Sequence, residues 1–227
     1  MTMQIGMIGT DGIVLASDTK YTRSPLFECD AKRYGFASSK IGISDDGRIA
    51  ATRAMNMRYA THAACSIISG LQNDMHLRDV YTDYTHKIEG IGTSAALDFD
   101  AECIVAFADP EPSMYRFRSG KSDSENRCQK ILNKIPAGDV SNSAVFWSER
   151  YYARVPVSRL IRLAAQVVVS AGEINNGGIE GLEIVYFDAF SSRFHRFTEA
   201  QNRTLETEAK KHGKRVGNLV FGHSALS

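Results

Sequence analysis

The chain has 227 residues, 43% of them hydrophobic and 23% charged, which is ordinary for a globular protein. Its formal net charge of +1 argues against nucleic acid or an anionic membrane as the main partner, because both select a clustered basic surplus. The sequence has no long apolar run, no secretory signal and four scattered cysteines. We therefore expect one domain over residues 1–227, reduced and cytoplasmic.

Short strands and tight turns dominate the beginning of the chain. Residues 5–15 predict two strands joined at Asp11-Gly12, because Asp-Gly supports the positive φ that hairpins need. Residues 40–51 repeat this design around Asp46-Gly47. Apolar residues then fall four apart over 52–71, which predicts a helix, and a second helix is predicted over 79–91.

The second half of the chain also separates strands from helices. Strands are predicted over 103–107 and 114–117 and near 131–135, helices over 143–153 and 156–171, a strand pair over 182–187 and 194–197, and a helix from Thr198 to about 212. Segregated blocks favour antiparallel sheets covered by helices over a doubly wound parallel sheet. We therefore predict an α+β fold, a four-layer αββα sandwich of two antiparallel sheets flanked by helices.

Position two carries the main chemical signal. An initiator Met followed by threonine is usually trimmed, which would give Thr2 a free amine. An α-amino group has a pKa of about 7.7–8.0 in model compounds, so it suits a general base near neutral pH. The hydroxyl and the amine of one N-terminal threonine then form a nucleophile and base pair. Most proteins that begin Met-Thr make no use of that threonine, so its context decides.

The stretch TMQIGMIGTDGIVLASD, from Thr2 to Asp18, closely resembles the mature start of proteasome β-type subunits. Both have a threonine, an apolar strand, an Asp-Gly turn, a second apolar strand and then Ala-x-Asp. The short form of the chain is most similar to the bacterial proteasome homologues. The resemblance implies an N-terminal nucleophile hydrolase of the threonine peptidase class, in which Asp18 pairs with a lysine beside the threonine hydroxyl.

The lysine is identified by its motif. The family places it directly before an apolar strand, a short turn and another strand, and Lys40 fits this pattern. Lys32 is the alternative, if the extra residues between Asp18 and the lysine lie after it. A lysine cation would favour the alkoxide form of Thr2.

The resemblance also implies supporting residues, several of which depart from the family pattern. The oxyanion would be stabilised by the backbone N–H of Thr52, where the family has glycine. The segment AGEINNGG implies Glu173 as a supporting acid and Asn176 as a supporting polar group. The family's supporting serine falls at Ala137, which cannot relay a proton, and Ser141 or Ser143 would be its substitute.

The family further implies a homo-oligomer of stacked rings that encloses the nucleophile, an unfolded polypeptide or peptide substrate, and an ATP-dependent unfoldase partner. Two other functions stay open. The first is a proteasome-like structural subunit with weak or no catalysis, which the departures at Ala137, Glu173 and Asn176 favour. The second is a small-molecule amidase of the same nucleophile class.

Neither a cofactor nor a metal is predicted. Residues 90–95 spell a dinucleotide fingerprint but follow a helical stretch instead of a strand, so the required context is missing. His62 and Cys65 alone fall short of a metal site.

Overall fold

A computed structural model of the chain describes residues 1–23, 34–55, 101–108, 112–119, 127–175 and 178–221. The strands are β1 (Met3–Ile8), β2 (Ile13–Ser17), β3 (Lys20–Arg23), β4 (Tyr34–Ala37), β5 (Ile41–Ile43), β6 (Ile49–Thr52), β7 (Ala54–Met55), β8 (Ala101–Phe107), β9 (Ser113–Ser119), β10 (Arg127–Ile131), β11 (Lys134–Gly138), β12 (Glu183–Asp188) and β13 (Arg193–Arg196). The described helices are α1 (Val145–Tyr151), α2 (Val157–Ile174) and α3 (Glu199–Phe221).

Two antiparallel sheets form the centre of the molecule. The first sheet has the strand order β11-β1-β2-β12-β13, and the second has the order β10-β9-β8-β6-β5 with β7 also paired to β8. Strands β3 and β4 form a separate pair. All the pairings are antiparallel, so the described part of the chain is α+β.

Strand β1 is buried along its whole length because both faces of the first sheet are covered. Met3, Ile5 and Met7 point to one face, where they pack with the apolar side of α2. On the opposite face, a Cβ built on Gly6 would lie 2.4 Å from the sulfur of Met114 in the second sheet. The residue alternation of one strand therefore serves two different cores.

The core between the sheets takes side chains from both of them, including Ile13, Leu15, Ile41, Ile104, Met114 and Val185. The second core lies between the first sheet and the helices and is built on Leu160, Ala164, Val167 and Val168 of α2. These cores give three layers: helix, sheet and sheet. The predicted fourth layer would fall on residues 56–100, which lie outside the described residues, as does the segment 90–95.

Most element predictions within the described residues are confirmed. Both early hairpins form, and Gly47 has the expected positive φ of 74°. Thr198 accepts a hydrogen bond from the Gln201 N–H at 3.2 Å, as a helix cap should, although α3 continues to Phe221. The part of the chain that the structure describes includes no helix long and apolar enough to span a membrane.

Two element predictions are wrong in detail, and one strand pair was missed. The strand expected near 131–135 is two strands, β10 and β11, which belong to different sheets. The helix expected from residue 52 cannot begin there, because Thr52 ends β6 and the next two paired residues form β7. The pair β3 and β4 was not predicted at all.

Candidate active site

The first hairpin brings Thr2 and Asp18 together. Thr2 directly precedes β1 and Asp18 directly follows β2, and the register pairs Gln4 with Ser17. The carboxylate of Asp18 accepts the N–H of Met3 at 2.9 Å, and the N–H of Asp18 donates to the carbonyl of Met3 at 3.1 Å. An antiparallel ladder thus fixes the acid beside the residue that follows the threonine.

Lys40 joins this pair from the second sheet. It directly precedes β5, and its Nζ lies 2.8 Å from Oδ2 of Asp18 and 2.9 Å from Oγ1 of Thr2. The side chains of Lys40 and Asp18 are both fully buried. Carboxylate, amine and hydroxyl therefore form a continuous chain of hydrogen bonds. The alternative lysine, Lys32, lies outside the described residues.

Burial shifts the pKa values of both charged groups. Desolvation lowers the pKa of Lys40 below the ordinary lysine value, against the attraction of the Asp18 carboxylate. Desolvation likewise raises the pKa of Asp18, against the ammonium of Lys40 and the N–H of Met3. Burial thus disfavours the charged form of each group, and the attraction between the two groups favours it.

The loop after β11 holds the main chain of Thr2. The Asp139 N–H donates to the Thr2 carbonyl at 2.8 Å. Gly138 has a φ of 82°, and a Cβ built on it would lie 2.2 Å from that carbonyl oxygen. The Gly138 N–H donates to the buried Glu102 carboxylate at 2.9 Å, which also pairs with Arg116. Glycine is required here both for its backbone conformation and for the close approach to Thr2.

Asp139 is also the centre of a polar group next to Thr2. Its carboxylate accepts hydrogen bonds from the Ser141 hydroxyl at 3.0 Å and from the amides of Asn142 and Asn175 at 3.3 and 3.5 Å. Ser141 is one of the two proposed substitutes for the missing serine, and it reaches Thr2 only through Asp139. Ala137 itself is sealed in the core between the sheets.

The structure does not bring Glu173 to this group. Its side chain is exposed on the last turn of α2, and Oε2 lies 3.5 Å from the Cβ position of Gly213 in α3. Asn175, the first residue after α2, contacts Asp139, whereas Glu173 in the last turn of α2 faces α3. The other supporting residue inferred from the segment, Asn176, lies outside the described residues.

Thr52 occupies the end of β6 and is fully buried. Its hydroxyl accepts the N–H of Ile104 at 3.0 Å, across the pairing of β6 with β8. The side chain thus has a structural partner, and the oxyanion role of its own N–H stays a prediction.

Sequence reasoning missed Glu183 and Arg196. Glu183 is only 3% exposed, and it lies between the apolar residues Leu182 and Ile184. It accepts the main-chain N–H of Lys40 at 2.8 Å and pairs with Arg196. The sequence did offer one signal for this pair. A carboxylate inside an apolar run is expected to be buried, and a buried charge requires a partner.

Within the described ranges, His, Cys, Asp and Glu side chains form no group of three or more that could hold a metal ion. Cys103 is fully buried in β8 of the second sheet.

No family model matches the sequence, and neither does any curated protein sequence. Among solved structures, the chain is similar to Anbu (ancestral beta-subunit) from Yersinia bercovieri, with a TM-score of 0.72 and 12% sequence identity. The match covers 99% of this chain and 99% of that chain. The chain therefore shares the fold of this ancestral beta-subunit.

Proposed function

We propose that this protein is a threonine peptidase of the N-terminal nucleophile class, with Thr2 as its nucleophile. The observation that carries the proposal is the 2.9 Å contact between Lys40 Nζ and Thr2 Oγ1, with Asp18 2.8 Å behind the lysine. We also propose the full αββα sandwich, that is, a second helical layer in addition to the three layers described above. Met1 is 64% exposed, so its peptide bond is accessible for trimming.

The reaction begins when Thr2 Oγ1 attacks the carbonyl carbon of the substrate. The free amine of Thr2 takes the hydroxyl proton and later gives it to the departing amine as the C–N bond breaks. Water then attacks the resulting ester, assisted by the same amine, and releases the acid. Lys40 donates to Oγ1, so its charge stabilises the alkoxide as it develops.

An exposed nucleophile of this kind would cut unfolded chains indiscriminately. The proposal therefore includes assembly of the chain into stacked rings that enclose Thr2, with unfolded polypeptide as the substrate and an ATP-dependent unfoldase as its supplier. The similarity in fold to an ancestral β-subunit supports this assembly. Sedimentation of the purified protein tests it, because a monomer of 25.0 kDa is far smaller than a ring particle.

Mass spectrometry of the intact protein tests the chemistry. We expect a mass without Met1 and, after treatment with a threonine-directed covalent inhibitor, one adduct located on Thr2. Thr2→Ala should remove both the adduct and the hydrolysis of a fluorogenic peptide, whereas Thr2→Ser should keep the adduct. Retention of Met1 in the active protein, or turnover by Thr2→Ala, would contradict the proposal.

One observation favours a structural subunit with weak catalysis. Ala137 is fully buried in the inter-sheet core, and no hydroxyl takes the place of the family's serine at that position. A large particle that neither takes the inhibitor nor cuts peptides would support this second function. A monomer that hydrolyses simple amides would instead support the amidase.

A further inference from the structure

The main chain around Lys40 is held by one ion pair, in which Glu183 is buried and Arg196 is partly exposed. Glu183 accepts the Lys40 N–H at 2.8 Å and the Ser39 hydroxyl at 2.7 Å. Arg196 pairs with Glu183, donates to the Ser39 hydroxyl at 2.8 Å and donates to the Ile41 carbonyl. The pair therefore contacts three consecutive residues, of which the lysine is the middle one.

The sheet register links this pair to the tip of the lysine. Glu183 lies opposite Ser17 on β2, and the next residue, Asp18, contacts Lys40 Nζ at 2.8 Å. Lys40 itself leads into β5 of the second sheet. Two neighbouring strands of the first sheet thus fix both ends of a side chain that comes from the other sheet.

Stability alone does not account for a carboxylate in this position. Its ion-pair partner Arg196 is 36% exposed at the side chain, and an ion pair with a solvent-exposed member contributes little to stability. A lysine carries its charge on a flexible four-carbon stem, so the position of Nζ depends on where the main chain is anchored. A shift of about 1 Å in a reacting group can lower a rate about a hundredfold.

We propose that Glu183 and Arg196 are positioning residues, which set the reach of Lys40 Nζ to the Thr2 hydroxyl. This inference rests on the proposed function of Thr2 and goes beyond it. It adds Glu183 to the site as a second carboxylate. Glu183 holds the main-chain N–H of Lys40, whereas Asp18 pairs with the side-chain ammonium.

Two variants and one control separate positioning from general stability. Glu183→Gln keeps the shape of the side chain but removes its charge, and Arg196→Lys keeps the charge but removes the fork that reaches two acceptors. Phe187→Leu is the control. It lies four residues along the same strand, packs against Phe194 in the inter-sheet core and makes no hydrogen bond to residues 39–41.

The first readout is hydrolysis of a fluorogenic peptide. In both positioning variants we expect kcat to fall about tenfold to a hundredfold, with KM unchanged. The second readout is the pKa of Lys40, followed by NMR on lysine labelled at Cε and assigned by its loss in Lys40→Arg. It should rise toward the ordinary lysine value as the amine leaves its buried position. Phe187→Leu should lower the melting temperature without either change.

The inference is overturned if the Lys40 resonance titrates as in the wild type in both variants, or if their kcat falls no more than in Phe187→Leu. Because Arg196 is 36% exposed at its side chain, its variant is expected to fold even if Glu183→Gln does not. A wild-type protein without hydrolysis or inhibitor adduct would overturn the proposed function of Thr2. The lysine resonance would still decide the role of Glu183.

Discussion

Replacing Lys40 by methionine isolates the energetics of the buried pair. The variant keeps most of the volume of the side chain but removes the ammonium from the Asp18 carboxylate, which keeps its main-chain hydrogen bonds from Met3 and Lys20. Removing one member of a buried pair costs about 3–5 kcal/mol, because a charge is left without compensation. We expect this loss of unfolding free energy at pH 7.

The penalty should depend on pH in a defined direction. Burial already raises the pKa of Asp18 in the native protein, and loss of the ammonium raises it further. The folded state of the variant then binds a proton more tightly than the unfolded state, so stability is present at low pH and is lost as pH rises through the folded pKa. Each unit by which that pKa rises is worth about 1.4 kcal/mol.

The assay is urea unfolding of the wild type, Lys40→Met, Asp18→Asn and the double variant, each at pH 7 and pH 4.5. The double variant removes both charges and should recover most of the stability that Lys40→Met loses, because no charge remains buried. The slope of the transition should stay constant, so that midpoints can be compared. A loss under about 1 kcal/mol in Lys40→Met, or a double variant as unstable as the single one, would refute this view of the pair.

Three further predictions concern the charge of Lys40, the turn at Gly138 and the first turn of α2. The rate of peptide hydrolysis should depend on pH as a bell-shaped curve. It should rise as the Thr2 amine loses its proton near pH 7.7–8.0, and it should begin to fall at a pH below 10.5, the ordinary lysine pKa, because burial lowers the pKa of Lys40. A rate that stays constant up to pH 11 would contradict the role of the lysine cation. Gly138→Ala should lose about 2 kcal/mol or more in urea unfolding and most of the activity, since its Cβ would meet the Thr2 carbonyl at 2.2 Å. Gly47→Ala is the control, because Gly47 has a similar positive φ of 74° but its Cβ would meet only side-chain carbons, at 3.3 Å. An equal loss of unfolding free energy in the two variants would show that the contact with the Thr2 carbonyl is unimportant. Asp11→Ala should cost about 0.5–2 kcal/mol, because the Asp11 carboxylate accepts the first N–H of α2, on Val157, at 2.7 Å; an unchanged midpoint would refute this cap.

The part of the site that could be predicted is the part set by local patterns. The turn at Asp11-Gly12 fixes the hairpin, and the hairpin fixes the distance between Thr2 and Asp18. Lys40 was inferred from the resemblance, because the family places its lysine directly before such a strand, and its amine lies within hydrogen-bond distance of the Thr2 hydroxyl. Whether these residues are catalytic remains a prediction.

The parts that failed depend on orientation or on distant partners. Glu173 was placed by a match of its segment to the family, but its side chain faces α3, and Asn175, the first residue after α2, contacts Asp139 instead. The turn between β10 and β11 has neither glycine nor proline at 132–133, so it gave no signal. Glu183 contacts Lys40 across 143 positions of sequence, and no local pattern predicts such a pairing.

The untrimmed chain already has Thr2, Asp18 and Lys40 in contact, with Met1 attached and accessible. In that form the nitrogen of Thr2 is an amide and cannot accept a proton, while the oxygen and the lysine keep their arrangement. Protein made in cells whose methionine aminopeptidase is inhibited would therefore keep Met1. Under the proposed mechanism it would have the nucleophile and the lysine in place but would lack the general base. Such material would allow the amine to be switched on in a folded protein by adding the aminopeptidase, with no mutation and no refolding.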